Sequence, residues 1–222
     1  MIKIGVIHAT YSAIEPLNQA AAKYREDVKL LNFVNENLLY RANQIGGADK
    51  QGLRSFTRLF FEAADAGMDG IIVACSVYTP FVEQMRKFVD IPVIGIDKPM
   101  LVSAVENGNK IGIIATTAAS GPSAQRQMEK IAEHIGKDVS YEIEIDINAM
   151  TELKSGNIGE HDRLILEAGK RLVNQKCDCI VLAQITMARA VEQMLELGVP
   201  VLSSPMEGIK AIIAEIENPD LC

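Results

Sequence analysis

Cys75 is the residue in this chain best placed to do chemistry. It ends an apolar run, Gly70-Ile71-Ile72-Val73-Ala74-Cys75, and is followed by Ser76, Tyr78, Thr79 and Pro80. A thiol at the start of a helix gains from the positive end of the helix dipole, which favours the thiolate needed for a nucleophile or a base. The plainer reading is a buried structural cysteine. The hydroxyls that follow favour function, because a core position has no need of Ser, Tyr and Thr in succession. A second titratable group, His8, ends the first apolar run and ionises near neutral pH.

The chain states its plan twice. Residues 3–10 (KIGVIHAT) reappear as 110–117 (KIGIIATT), 69–75 (DGIIVAC) as 178–184 (DCIVLAQ), and 91–94 (IPVI) as 199–202 (VPVL). One such match is ordinary for an α/β chain, whereas three in the same order and at nearly constant spacing mark two similar halves. In this register Gln184 occupies the place of Cys75.

Apolar β-branched runs at 2–8, 28–34, 70–75, 92–96, 110–116, 140–146, 179–184 and 200–203 predict strands. Amphipathic stretches at 13–24, 53–66, 80–88, 99–107, 121–135, 162–175, 187–197 and 206–216 predict helices. Strict alternation implies right-handed crossovers and parallel sheets covered on both faces. The expected fold is α/β: two pseudo-symmetric, doubly wound halves, 1–97 and 98–205, with the site in the cleft between them. A C-terminal helix within 206–222 is expected to pack back on the first half. Gly67 and Gly108 sit where left-handed helix ends are wanted. Segments 46–52 and 155–159 read as loops.

Parallel sheets bind ligands beyond the carboxyl ends of their strands. Those ends carry Thr10 and Ser12, Ser76, Tyr78 and Thr79, Thr116 and Thr117, then Gln184 and Thr186. Hydroxyls and helix-end amides can hold a small carboxylate without a formal positive charge. Neither G-x-G-x-x-G after the first strand nor a P-loop occurs, so a nucleotide is disfavoured and no cofactor is expected. The net charge of −7, with no basic cluster, argues against nucleic acid. No signal peptide or membrane span is read, so a cytoplasmic protein is expected. The cysteines, including Cys177, Cys179 and Cys222, have neither zinc spacing nor a disulfide framework. A homodimer is a fair expectation for a small α/β enzyme.

Cys75-Ser76 after an apolar strand, Ile113-Ile114-Ala115-Thr116-Thr117 opening the second half, and the strand from Asp178 to Gln184 together resemble the aspartate/glutamate/hydantoin racemase superfamily. The resemblance spans nearly the whole chain. It implies cofactor-independent proton transfer beside a carboxylate or carbonyl of a small carboxylic or amino acid. In such racemases two cysteines face the substrate from opposite sides. Carried over by position, Cys75 is one acid/base. Ser76, Thr116 and Thr117 hold the carboxylate, and Thr10 lies in a capping loop.

The departure is Gln184, where the second cysteine belongs. An amide cannot exchange a proton usefully near neutral pH. Three chemistries remain open. His8 could complete a racemase. Cys75 alone could protonate the enolate left by decarboxylation. Cys75 could instead add to an alkene during cis–trans isomerisation. In each, Gln184 would hydrogen-bond the substrate. Binding of a carboxylate without turnover is a fourth reading.

Other residues attract weaker readings. His161, before a predicted helix, reads as a capping or surface residue that could cover the site. His134 reads as solvent-facing, and Arg189 as a helix-surface residue within reach of a carboxylate. The alternating acids Glu142, Glu144 and Asp146 read as an edge strand.

Overall fold

The computed structural model describes residues 1–218; Cys222 and the end of the expected 206–222 segment lie outside the described residues. The described chain divides into two compact units, residues 1–98 with 205–218, and residues 99–204.

The first unit contains strands β1 (Ile2–His8), β2 (Val28–Val34), β3 (Gly70–Val73) and β4 (Val93–Gly95) in the order β2-β1-β3-β4. All neighbours are parallel, with Ile7 level with Val73 and Val73 with Gly95. Helices α1 (Ile14–Tyr24), α2 (Asn37–Ile45) and α3 (Lys50–Asp65) follow β1 and β2, and a short α4 (Val82–Met85) follows β3. One sheet face packs Ile7, Ile71 and Val73 against Phe56, Phe60 and Ala63 of α3. Gly5 lets that layer close, since a Cβ there would stand 3.0 Å from Met68 and 3.5 Å from Ala63.

The second unit repeats the arrangement. Strands β5 (Lys110–Ala115), β6 (Ser140–Ile145), β7 (Cys179–Leu182) and β8 (Val201–Ser203) run parallel in the order β6-β5-β7-β8. α5 (Lys98–Asn107) leads into β5, and the strands are joined through α6 (Ser120–Ile135), α7 (Ile147–Lys154), α8 (Ile158–Asn174) and α9 (Val191–Met194). Leu172 of α8 covers Gly112, where a Cβ would meet it at 2.9 Å. β6 is the edge strand that carries the alternating acids. The last helix, α10 (Ser204–Glu217), sets Ile212 and Ile216 against Gly70.

The repeat extends to hydrogen bonds. Asp69 accepts from the backbone N–H of Lys3, and Asp178 accepts from those of Asn109 and Lys110. The amides of Ala74 and Ala183 donate to Ile7 and Ile114, each at 2.9 Å. Both α4 and α9 read Val-Glu-Gln-Met.

Several expectations need correction. Segments 46–52 and 155–159 are not simply loops. Asp49 caps the start of α3 by accepting from Gly52 N, and α8 begins at Ile158. α2 and α7 were not anticipated. Gly67 is left-handed, with φ 71°, but Gly108 is not among the positive-φ residues. Gly108 is small because a Cβ would lie 2.9 Å from the Ala104 carbonyl. Among the described residues no helix is long and apolar enough to cross a membrane.

Candidate functional site

β3 stops at Val73, and Cys75 opens a tight turn. Its carbonyl accepts from Tyr78 N at 2.9 Å and Thr79 N at 3.1 Å. The turn folds the amides of Val77 and Tyr78 back onto the thiol, so two donors face the sulfur. The thiol is half-buried against the α3 side of the sheet. Burial is the larger influence and pushes Cys75 above its ordinary value of 9.0, the two amides pull it down, and Asp97 beyond β4 pushes it up again. The helix-dipole argument for a thiolate is therefore corrected. The following helix is only four residues long, and desolvation outweighs the donors.

Around this turn Ser76 is exposed, and the Thr79 hydroxyl donates to the Ser76 carbonyl at 3.1 Å. Tyr78 is 1% exposed, stacks on Phe56 at 5.0 Å and reaches the Leu38 carbonyl at 3.4 Å. Its ring serves the core and shapes the turn, so no substrate contact is assigned to it. Thr10 caps the turn 11–13, its hydroxyl 3.1 Å from that of Ser12.

His8 is fully buried, with Nε2 2.8 Å from Asn32 Oδ1, and burial lowers its affinity for a proton. It follows Ile7 in an extended strand, so it points to the sheet face opposite the one that packs Ile7, Val73 and Cys75. Its Nδ1 is buried without a partner among the described residues.

In the second unit Gln184 opens the matching turn, its carbonyl accepting from Met187 N at 3.1 Å. Its side chain turns onto Thr116, which is 1% exposed. Thr116 N donates to Gln184 Oε1 at 2.8 Å, and Gln184 Nε2 donates to Thr116 Oγ1 at 2.8 Å. The backbone donor fixes the amide's orientation. One Nε2 hydrogen and the Thr116 hydroxyl hydrogen remain to be donated elsewhere, so the pair offers donors and suits an anionic oxygen. Thr117 is exposed, its hydroxyl 2.8 Å from that of Ser120. Thr186 Oγ1 is buried without a partner among the described residues.

Sequence reasoning missed two features. Asp97, just past β4, influences the thiol; it lies at a strand's carboxyl end, the signal that identified the other positions. His161 lies inside α8 and is fully buried beside Asp162, rather than capping or covering it. Arg189 is tied to Asp162 at 3.1 Å. His134 is exposed, as its position late in α6 predicts. No group of three or more His, Cys, Asp or Glu suited to a metal occurs among the described residues.

Comparison with known proteins places this arrangement. The profile of the Asp/Glu/Hydantoin racemase family matches residues 4–212. An uncharacterised protein of Schizosaccharomyces pombe is 25% identical over 150 residues, spanning 66% of this chain and 61% of its own length. Among solved structures, an allantoin racemase from Klebsiella pneumoniae matches with TM-score 0.73 at 20% identity, covering 98% of this chain and 88% of its own. An aspartate racemase homologue from Pyrococcus horikoshii OT3 matches with TM-score 0.71 at 16% identity, covering 98% and 100%. A glutamate racemase isoform from Bacillus anthracis matches with TM-score 0.68 at 17% identity, covering 98% and 82%. These likenesses share the two-sheet α/β fold, and the family match runs through both turns. The chain spans about three fifths of the curated Schizosaccharomyces pombe relative's length, and it belongs to the Asp/Glu/hydantoin racemase family.

Proposed function

We propose that the protein is a cofactor-independent racemase or isomerase of a small carboxylic or amino acid, with Cys75 transferring a proton at the carbon next to the carboxylate. One observation carries this reading: a half-buried thiol at the carboxyl end of β3 with the Val77 and Tyr78 amides turned onto it, in a chain of this family. Near neutral pH the group is a thiol, ready to protonate a carbanion, and its thiolate would be met by two fixed donors. Thr116 and Gln184 would hold an oxygen of the substrate and stabilise charge building on an enolate. Ser76, Thr10, Ser12, Thr79, Thr117 and Thr186 are secondary candidates for substrate contact.

The amide at 184 favours a second reading within the same site. Gln184 can accept no proton, so Cys75 acting alone would suit decarboxylation of a small dicarboxylic acid, or cis–trans isomerisation of one. Chiral chromatography of L-aspartate, L-glutamate and allantoin incubated with wild type and Cys75→Ser separates the readings. Inversion that requires Cys75 supports the racemase. Without inversion, loss of carbon dioxide from methylmalonate or conversion of maleate to fumarate, assayed in parallel, supports the one-thiol reading. Turnover unaffected by Cys75→Ser contradicts both.

A further inference from the structure

The turn that carries Cys75 rests on a polar clasp within the first unit. From α2, Arg41 Nε donates to Asp49 Oδ1 at 2.7 Å, and Arg41 Nη2 donates to Asp49 Oδ2. Such a two-pronged fork fixes orientation as well as distance. Asp49 Oδ1 also accepts from Gly52 N at 2.9 Å and so caps α3. Between the two residues the chain reverses through Gly46 and Gly47, at φ 76° and 155°, a connection with little stiffness of its own. The fork is what holds α2 to the start of α3.

The two helices so joined enclose one side chain. The Tyr78 hydroxyl donates to the Leu38 carbonyl of α2 at 3.4 Å. A Cβ at Gly52 of α3 would stand 2.6 Å from the same oxygen. One turn further along α3, Phe56 stacks on the Tyr78 ring at 5.0 Å. The backbone of Tyr78 belongs to the thiol's turn: its amide donates to the Cys75 carbonyl at 2.9 Å and faces the sulfur. Close-packed interiors transmit displacement, so whatever fixes this ring fixes that amide.

The second unit holds its matching turn in another way. In the register that pairs Cys75 with Gln184 and the two Val-Glu-Gln-Met segments with each other, Tyr78 corresponds to Met187, which has no hydroxyl. There the Gln184 side chain is tied directly to Thr116. A thiol has no second arm by which to be tied, so its turn has to be oriented from beneath.

We infer that Arg41 and Asp49 are positioning residues for Cys75, acting through Tyr78: the fork keeps α2 and the first turn of α3 closed on the tyrosine hydroxyl, and the tyrosine keeps its amide on the sulfur. The bearing of this on turnover rests on the proposed function, but the clasp itself is read on the thiol. When the fork opens, the amide donor leaves while burial stays, because the apolar cluster packed against Cys75 contains neither Arg41 nor Asp49. The thiol should then keep its proton to higher pH.

The pH dependence of iodoacetamide labelling at Cys75 in the whole protein tests this in three variants. Arg41→Met removes the fork. Arg41→Lys keeps the charge without the fork's geometry. Asp49→Asn leaves an oxygen for Gly52 N, and so the cap of α3, but gives up the ionic fork. Each should slow labelling at pH 8 about 3- to 10-fold and move the inflection upward. Asp49→Asn separates the clasp from bare charge, since losing a nearby negative charge would by itself move the inflection downward. Asp97 beyond β4 also acts on the thiol and is the same in all three. An inflection that falls in Asp49→Asn would overturn the inference in favour of charge alone. An inflection at the wild-type value in any of the three, with or without a lower melting temperature, would reduce the pair to a structural one and overturn it equally. Should wild type turn over none of the acids offered, the proposed function fails while the labelling still decides for the clasp.

Discussion

Gln184 and Thr116 hold each other through two 2.8 Å hydrogen bonds of fixed polarity, at the position where the repeat places Cys75 in the other unit. The amide thus acts as a donor clip. Gln184→Glu would reverse it, since a carboxylate would draw in the Thr116 hydroxyl and repel an anionic substrate. A charge-assisted hydrogen bond contributes about 1.5–3 kcal/mol, so KM should rise roughly 10- to 150-fold. The check is steady-state kinetics on whichever acid is turned over. An unchanged KM would show that the clip does not touch substrate.

The Cys75 thiol is held above 9.0, chiefly by burial. Alkylation by iodoacetamide should therefore be slow at neutral pH and rise through an inflection above that value. The linkage sign follows. A folded-state value raised above the unfolded one contributes stability that is present below the unfolded value and lost as pH rises through the folded one. Cys179, pushed up to about 11, acts in the same direction. Melting temperature should fall in the alkaline range, less steeply in Cys75→Ala. A labelling inflection near pH 7 would contradict the burial argument.

His8 behaves in the opposite sense. Burial lowers its value below 6.5, so under acid the unfolded chain takes up a proton that the folded chain refuses. Stability from this site should be present above pH 6.5 and decline as pH falls below it. His8→Gln should flatten the melting curve over that window, and identical pH dependence in both proteins would remove His8 as its source.

Gly52 and Tyr78 form a steric pair. A Cβ at Gly52 would stand 2.6 Å from the Tyr78 hydroxyl oxygen. Gly52→Ala should destabilise by about 1–3 kcal/mol despite the better helix propensity of alanine. Adding Tyr78→Phe removes the oxygen and should recover most of that loss. Denaturant unfolding of the three variants checks the cycle, and additive effects would show that the two positions do not interact.

Much of this was legible in the sequence, and the failures have physical causes. All eight strands are short β-branched runs, and the fully buried β3 and β7 read as such because nothing polar interrupts them. α3 was started too late because Gly46, Gly47 and Gly52 suggested a loop, although Asp49 three residues before Gly52 is a helix cap. Gly52 is tolerated because the Tyr78 hydroxyl lies over it, a contact no local pattern reveals. Starting α8 at Ile158 would have put His161 on the stripe shared with Ile165, Ala168 and Leu172, and so shown its burial. The Cys75 turn stands out in the sequence, but the balance between donors and desolvation depends on α3 packing beneath it.

The central claim is that Cys75 moves a proton at a carbon next to a carboxylate or carbonyl. Wash-in of solvent deuterium at the α-carbon of allantoin, L-aspartate and L-glutamate, compared between wild type and Cys75→Ala, tests it most directly. Deuterium should enter at least one of the three, and Cys75→Ala should slow its entry at least about 100-fold. Entry at the same rate without the thiol, or no entry into any of them with it, would contradict the account.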